Sequence, residues 1–159
     1  MNPRLDITKY ITSGLGRAML NFSNEVQSKL ERPLFELVKI RASQINGCAY
    51  CIDMHTKDAR AIGETEQRLY GLDAWRETPY YSPRERAALE WTESLTLVAA
   101  SHAPDEVYER VREQFSEDEL AHLSLAIVAI NGWNRLNIAA RTVPGSYVAG
   151  SLAKLHAAS

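Results

Sequence analysis

Apolar residues recur at helical spacing along most of this chain, and no stretch alternates apolar with polar in the way a strand requires. Tyr10, Leu15, Met19, Phe22, Val26 and Leu30 predict a first helix over residues 6–30, weakened near Gly14 and Gly16. Pro33 opens a second, with Leu34, Leu37, Val38, Ala42 and Ile45 as its apolar stripe. A turn at Asn46-Gly47 leads into a third helix, residues 48–61, which Gly63 stops. Thr65 is suited to cap a short helix over 66–72.

Residues 73–81 are irregular, and their aromatics (Trp75, Tyr80 and Tyr81) are expected to roof the core. Ser82-Pro83-Arg84-Glu85 is a capping box with Pro at the first helical position. It begins a helix to about Ala100 that buries Ala88, Trp91, Thr92, Leu95, Val98 and Ala99. A charged helix follows over 104–115. A second capping box, Ser116 to Glu119, starts the last long helix, 117–141. That helix is apolar on most sides from Leu120 to Ile130, which predicts a central position or a subunit interface. The polar run from Asn131 to Asn137 then predicts a hydrogen-bond network, within the subunit or across an interface, and His122 is expected to pack or face an interface. Residues 147–159 could add a short helix through Leu152 and Leu155, with His156 exposed. The fold class is all-α.

Composition narrows the class without naming a chemistry. A length of 159 residues predicts one domain, 1–159, and is enough to bury a sizeable core. Apolar residues at 45% and a net charge of −2 give no basic surface for nucleic acid or an anionic membrane. No apolar run reaches the length of a transmembrane helix, and the first residues lack the core of a secretory signal. A cytoplasmic location is the expectation, and a reducing compartment suits a working dithiol better than a structural one.

The chemistry concentrates in residues 45–55, which hold both cysteines. Cys48 and Cys51 are three residues apart, so they share a helix face and can close a small disulfide. The helix N-terminus predicted there favours a thiolate. His55, four residues beyond Cys51, is one turn away and able to move its proton. This set suits disulfide exchange or peroxide reduction through a sulfenic acid. Three readings compete: a structural disulfide, inert buried thiols, and an unusual metal site of Cys48, Cys51, His55 and Glu36. Glu36 is either solvated and paired with Lys39 or Lys29, or buried near the thiols with a raised pKa. Arg41 is its other candidate partner. Asp53, Lys57, Asp58 and Arg60 read as the wet face of the third helix.

The pattern Glu36-x11-Cys48-x-x-Cys51-x3-His55 resembles the signature of the AhpD-like alkylhydroperoxidases of the carboxymuconolactone decarboxylase superfamily. So do the run from Glu36 to Arg60 and the segment WNRLNIAARTVPGSY, residues 133–147. The resemblance implies an oligomeric helical bundle, a trimer or hexamer. It implies that Cys51 attacks a hydroperoxide, that Cys48 resolves the sulfenic acid as a disulfide, and that His55 and Glu36 form the proton relay. An external dithiol or protein donor would reduce the disulfide, with no metal or organic cofactor. Decarboxylation is not expected, since that branch lacks the cysteine pair. The best-known peroxidase of the group has a histidine immediately before the second cysteine, and here Tyr50 stands there. That departure sustains a second reading, a redox partner of another protein's disulfide such as a peroxiredoxin. A third is a binding or structural oligomer with incidental thiols.

Overall fold

A computed structural model of the chain describes residues 2–11 and 14–151. Among these residues every regular element is helical: α1 (Thr8–Ile11), α2 (Gly14–Gln27), α3 (Arg32–Asn46), α4 (Ala49–Ala61), α5 (Glu66–Gly71), α6 (Pro83–Thr96), α7 (Val98–Ser101), α8 (Asp105–Arg112) and α9 (Glu117–Ala140), with a 3-10 segment over Leu72–Glu77. Among the described residues no helix is long and apolar enough to cross a membrane.

Local chemistry sets most boundaries. Both capping boxes form: Ser82 accepts from the Glu85 N–H and Glu85 from the Ser82 N–H, and Ser116 and Glu119 repeat the exchange. Thr65 accepts from the Arg68 N–H and starts α5. The expected first helix is instead two. α1 ends at Ile11, α2 begins at Gly14, and the chain folds back so tightly that a Cβ on Gly16 would lie 1.9 Å from the Tyr10 carbonyl oxygen. The helix expected to run to Ala100 breaks at Leu97, which leaves αR geometry before the short α7. Leu152, Leu155 and His156 lie outside the described residues.

The helix with the greatest buried continuity is α3, not α9. Every residue from Leu34 to Ile40 is buried, including Glu36 and Lys39. One face of α3 joins a cluster with Val26, Trp91, Val111, Leu123 and Ile127, and another joins Ala59, Leu72, Trp75 and Leu89. Each such aliphatic or aromatic side chain contributes roughly 1.5–3 kcal/mol on burial, so a helix inserted in both clusters is held from both sides. α9 buries Leu123, Ala126, Ile127 and Ile130 but leaves Leu125, Val128, Leu136 and Ile138 exposed.

The aromatic segment roofs the core with two of its three rings, and Tyr80 is exposed. Trp75 and Tyr81 are buried, Trp75 Nε1 donates to Glu93 Oε1 at 2.8 Å, and the Tyr81 hydroxyl donates to the Arg68 carbonyl. Arg41 is held here too, with its Nε 2.9 Å from Glu93 Oε1, so it is not the partner of Glu36.

Candidate functional site

The turn between α3 and α4 is fixed by backbone chemistry. Gly47 takes left-handed geometry (φ +70°), which lets its N–H bond the Gln44 carbonyl at 3.1 Å and the Cys48 N–H bond that of Ser43 at 3.0 Å. Cys48, the expected first residue of the helix, is instead its extended N-cap, and α4 begins one position later at Ala49. The Cys48 carbonyl accepts from the Ile52 N–H at 3.0 Å, closing the first turn around Cys51. Cys48 and Cys51 form a disulfide with Cα atoms 5.3 Å apart. Both are buried, at 1% and 0% exposure. The sulfurs therefore lie at the positive end of α4, where unpaired N–H groups favour a thiolate on reduction.

His55 follows one turn later and is buried. Its Nδ1 lies 3.2 Å from Glu36 Oε2, and the other carboxylate oxygen, Oε1, accepts from Lys39 Nζ at 2.7 Å. The Glu36–His55 approach is short enough to share a proton but poorly aligned, so neither atom has a hydrogen-bond partner of ordinary geometry. The raised pKa expected for Glu36 is not found. Burial pushes the carboxyl upward, but the facing imidazole and the Lys39 charge outweigh it, and the net shift is downward. Burial lowers the pKa of His55, helped by the Lys39 charge and opposed by Glu36. Lys39 is likewise lowered by burial, with Glu36 opposing. At neutral pH the group is thus an ionised carboxylate beside a neutral imidazole.

Asp58 completes the cluster: a ligand-type atom from each of Glu36, His55 and Asp58 lies within 4.8 Å of the others. The Lys39 ammonium on Glu36 Oε1 opposes a dication there by its charge. The metal set of Cys48, Cys51, His55 and Glu36 is not assembled, because the two sulfurs are bonded to each other.

The expected wet face of α4 instead grips the C-terminal segment. Lys57 Nζ pairs with Asp53 and donates to the carbonyls of Gly145 at 3.2 Å and Tyr147 at 3.1 Å, and Asp53 accepts from the Gly145 N–H at 3.0 Å. Asp58 accepts from the Tyr147 hydroxyl at 2.9 Å and the Gly150 N–H at 3.0 Å. Arg60 pairs with Glu66. This strap helps wall a cavity of about 840 Å³ whose lining includes Glu36, Lys39, Tyr50, His55, Trp133 and Asn137. Neither cysteine lines it. Tyr50, which precedes Cys51, does line it.

The polar run of α9 divides in two. Asn46 Nδ2 donates to Asn131 Oδ1 and Asn134 Oδ1, both at 2.9 Å, and Asn134 Nδ2 donates to Ser43 Oγ at 3.0 Å. This expected network ties α9 to the end of α3. Trp133 and Asn137 line the cavity instead. His122 turns back on its own helix, Nδ1 lying 2.8 Å from the Asp118 carbonyl oxygen. Of the site residues, Lys39 had a signal in the sequence, its i+3 spacing from Glu36. Asp58 and Tyr147 had none, since they meet across 89 positions.

The family model described as "Carboxymuconolactone decarboxylase family" matches residues 14–94. The uncharacterized protein YdfG of Bacillus subtilis is 57% identical over 113 residues, which cover 71% of this chain and 77% of that protein. The crystal structure of ATU0492 from Agrobacterium tumefaciens, described as a putative antioxidant defence protein AhpD, superposes with a TM-score of 0.87 at 39% identity, covering 92% of this chain and all of that one. A peroxidase-related protein from Ralstonia eutropha, described as an alkylhydroperoxidase AhpD core, gives 0.72 at 20% identity over 82% of this chain and 70% of that one, a likeness of fold alone.

Proposed function

Because the chain belongs to the carboxymuconolactone decarboxylase family, among its AhpD-like members with a CxxC pair, we propose that it is a thiol-dependent peroxidase that reduces hydroperoxides through Cys48 and Cys51. The observation that carries the reading is a disulfide-forming pair at the N-terminus of α4, with a neutral imidazole one turn on and an ionised carboxylate behind it. In the reduced protein His55 takes the Cys51 proton. The Cys51 thiolate attacks the terminal peroxide oxygen, the O–O bond breaks, and the alkoxide leaves as alcohol with the proton returned by His55. Cys48 then attacks the sulfenic sulfur, forming the disulfide and releasing water. An external dithiol or protein donor supplies two electrons to restore both thiols. Glu36, 3.2 Å from the imidazole, steadies the transient imidazolium by its charge.

The cycle belongs to a reducing compartment, for which the cytoplasm is our choice. We assign the exposed apolar residues of α9, Leu125, Val128, Leu136 and Ile138, to a homo-oligomeric contact in a trimer or hexamer.

Tyr50 favours a second reading. It is half-buried, and burial together with Asp53 raises its phenol pKa, so it cannot act as the proton acceptor that a histidine would be there. A redox partner of another protein's disulfide needs no such acceptor. Stopped-flow mixing of reduced protein with an organic hydroperoxide separates the two. Fast oxidation, with a sulfenic acid trapped on Cys51 in Cys48→Ser, supports the peroxidase. An inert dithiol that still exchanges with a protein disulfide supports the partner.

A further inference from the structure

The proposed cycle leaves one member of the ionisable cluster without a role. Cys51, His55 and Asp58 stand at i, i+4 and i+7 on α4, so they share one face of the helix. A carboxylate oxygen of Asp58 lies within 4.8 Å of both a ring nitrogen of His55 and a carboxylate oxygen of Glu36. Glu36 and His55 are buried, and Asp58 is half-buried. It accepts from the Tyr147 hydroxyl at 2.9 Å and the Gly150 N–H at 3.0 Å. Asp58 stands in the last turn of α4, where the negative end of the helix dipole disfavours a carboxylate. Those two donors from the strap hold it there.

Glu36 supplies the charge that an imidazolium needs only in part. Its Oε1 is taken by the Lys39 ammonium at 2.7 Å, so that pair adds no net charge to the cluster. Burial lowers the His55 pKa most, the Lys39 charge lowers it further, and Glu36 and Asp58 raise it. When Cys51 gives up its proton to His55, the set of Glu36, Lys39 and His55 becomes a buried cation. The Asp58 carboxylate brings that sum to zero. The order along α4 acts in the same sense: the thiolate lies at the positive end of the helix, and the imidazolium stands between it and Asp58. Among the described residues, the other charged or titratable groups on the wall of the adjoining cavity are Asp6, Arg32, Tyr50 and Tyr147, and α2 and α9 present only neutral side chains to it. We propose that Asp58 is a positioning residue of the dithiol, the counter-charge that lets His55 hold the Cys51 proton. The inference rests on His55 as the acceptor of that proton in the proposed cycle.

The test is the pH profile of Cys51 alkylation by iodoacetamide in reduced Cys48→Ser protein, the thiolate displacing iodide, from about pH 5 to about pH 10. A thiolate supported by an imidazolium gives a reactive limb at neutral pH, beside the alkaline limb of ordinary thiol ionisation near about pH 8.5. Adding Asp58→Asn should slow the neutral limb about tenfold, the effect of one opposite charge at this range, and leave the alkaline limb in place. Asp58→Glu, which keeps the charge, should retain the neutral limb. Lys57→Gln, which loosens the same strap and leaves Asp58 as it is, should show the native profile. Four results would overturn the proposal: no neutral limb with Asp58 intact, a neutral limb untouched by Asp58→Asn, an equal loss at every pH, or the same loss in Lys57→Gln. The third and fourth are what a merely structural residue would give. Should Asp58→Asn not fold, Asp58→Glu against Asp58→Gln compares charge at equal side-chain length. No peroxide is used. A neutral limb lost in Asp58→Asn, in a protein inert to hydroperoxide, would sink the peroxidase and keep the role of Asp58.

Discussion

Two polar clusters meet α3 in the interior, one at its middle and one at its end, and they are built on opposite rules. The cluster at the end is a knot of neutral groups from Ser43, Asn46, Thr96, Asn131 and Asn134, touched by one cation, Arg135, which donates to Asn131 Oδ1 at 3.0 Å. None of its buried side-chain atoms lacks a partner, and Asn131 Nδ2 alone bonds both Thr96 Oγ1 and the Ile127 carbonyl. The cluster at the middle is ionisable. Glu36, Lys39, His55 and Asp58 carry both signs of charge, keep one poorly aligned contact, and open onto a cavity. A saturated neutral network specifies where a helix lies, and here it fixes the residues just before the cysteines. An unsaturated charged one holds protons that can still move.

The sharpest way to break this contrast is His55→Gln. If the ionisable cluster moves protons, oxidation of the reduced dithiol by hydroperoxide should slow by about 10²–10⁴-fold in stopped flow, with helical content unchanged. An unchanged rate would reduce that cluster to a second structural network. The same variant has a signature in stability. The folded pKa of His55 lies below its ordinary 6.5, so the unfolded chain binds the proton more readily. The contribution is complete above pH 6.5 and is lost as pH falls toward the folded value. Chemical denaturation should therefore show stability falling below pH 6.5 in the native protein and a flatter profile in His55→Gln. Glu36, lowered from 4.5, adds a further loss only at lower pH.

Lys39→Met strikes the charged cluster from its other side. It strands a buried carboxylate, and a loss of about 3–5 kcal/mol is expected in urea denaturation. A loss under ~1 kcal/mol would mean that Glu36 takes up a proton at little cost. Asn134→Leu tests the neutral knot: it breaks two hydrogen bonds, to Asn46 and Ser43, and a loss of about 1–3 kcal/mol is expected. The dithiol should then oxidise at a nearly native rate in the folded fraction. A rate loss matching that of His55→Gln would erase the distinction between the clusters. The smallest effect belongs to Tyr147→Phe, which removes one donor from Asp58. About 1 kcal/mol is expected, confined to faster hydrogen exchange at residues 145–150.

The parts of the molecule legible in the sequence were those governed by neighbours in the chain. The two capping boxes, the Thr65 cap and the glycine turn before Cys48 each depend on residues within five positions, and each is found. The Asn131–Asn134 pair was readable as a network because polar residues three apart on an apolar helix must find partners. What could not be read is set by how helices fold back on one another. The central place of α3 depends on two core clusters gathered from across the chain. The downward shift of Glu36 needs Lys39 and His55 on the same side, from two helices. Asp53, Lys57 and Asp58 carry the spacing of solvated helix pairs, and nothing local shows that a segment some 90 residues on will lie across them.

That strap also makes the molecule a lever. A load drawn on the chain beyond residue 150 first meets Gly150 and Tyr147 on Asp58, then Tyr147 and Gly145 on Lys57 and Asp53. All three anchors sit on the helix that begins at the cysteines. Tension from that end would reach the redox helix before it reached the bulk of the core. In a force-spectroscopy trace, the first rupture should report the grip of α4 rather than the unravelling of the bundle.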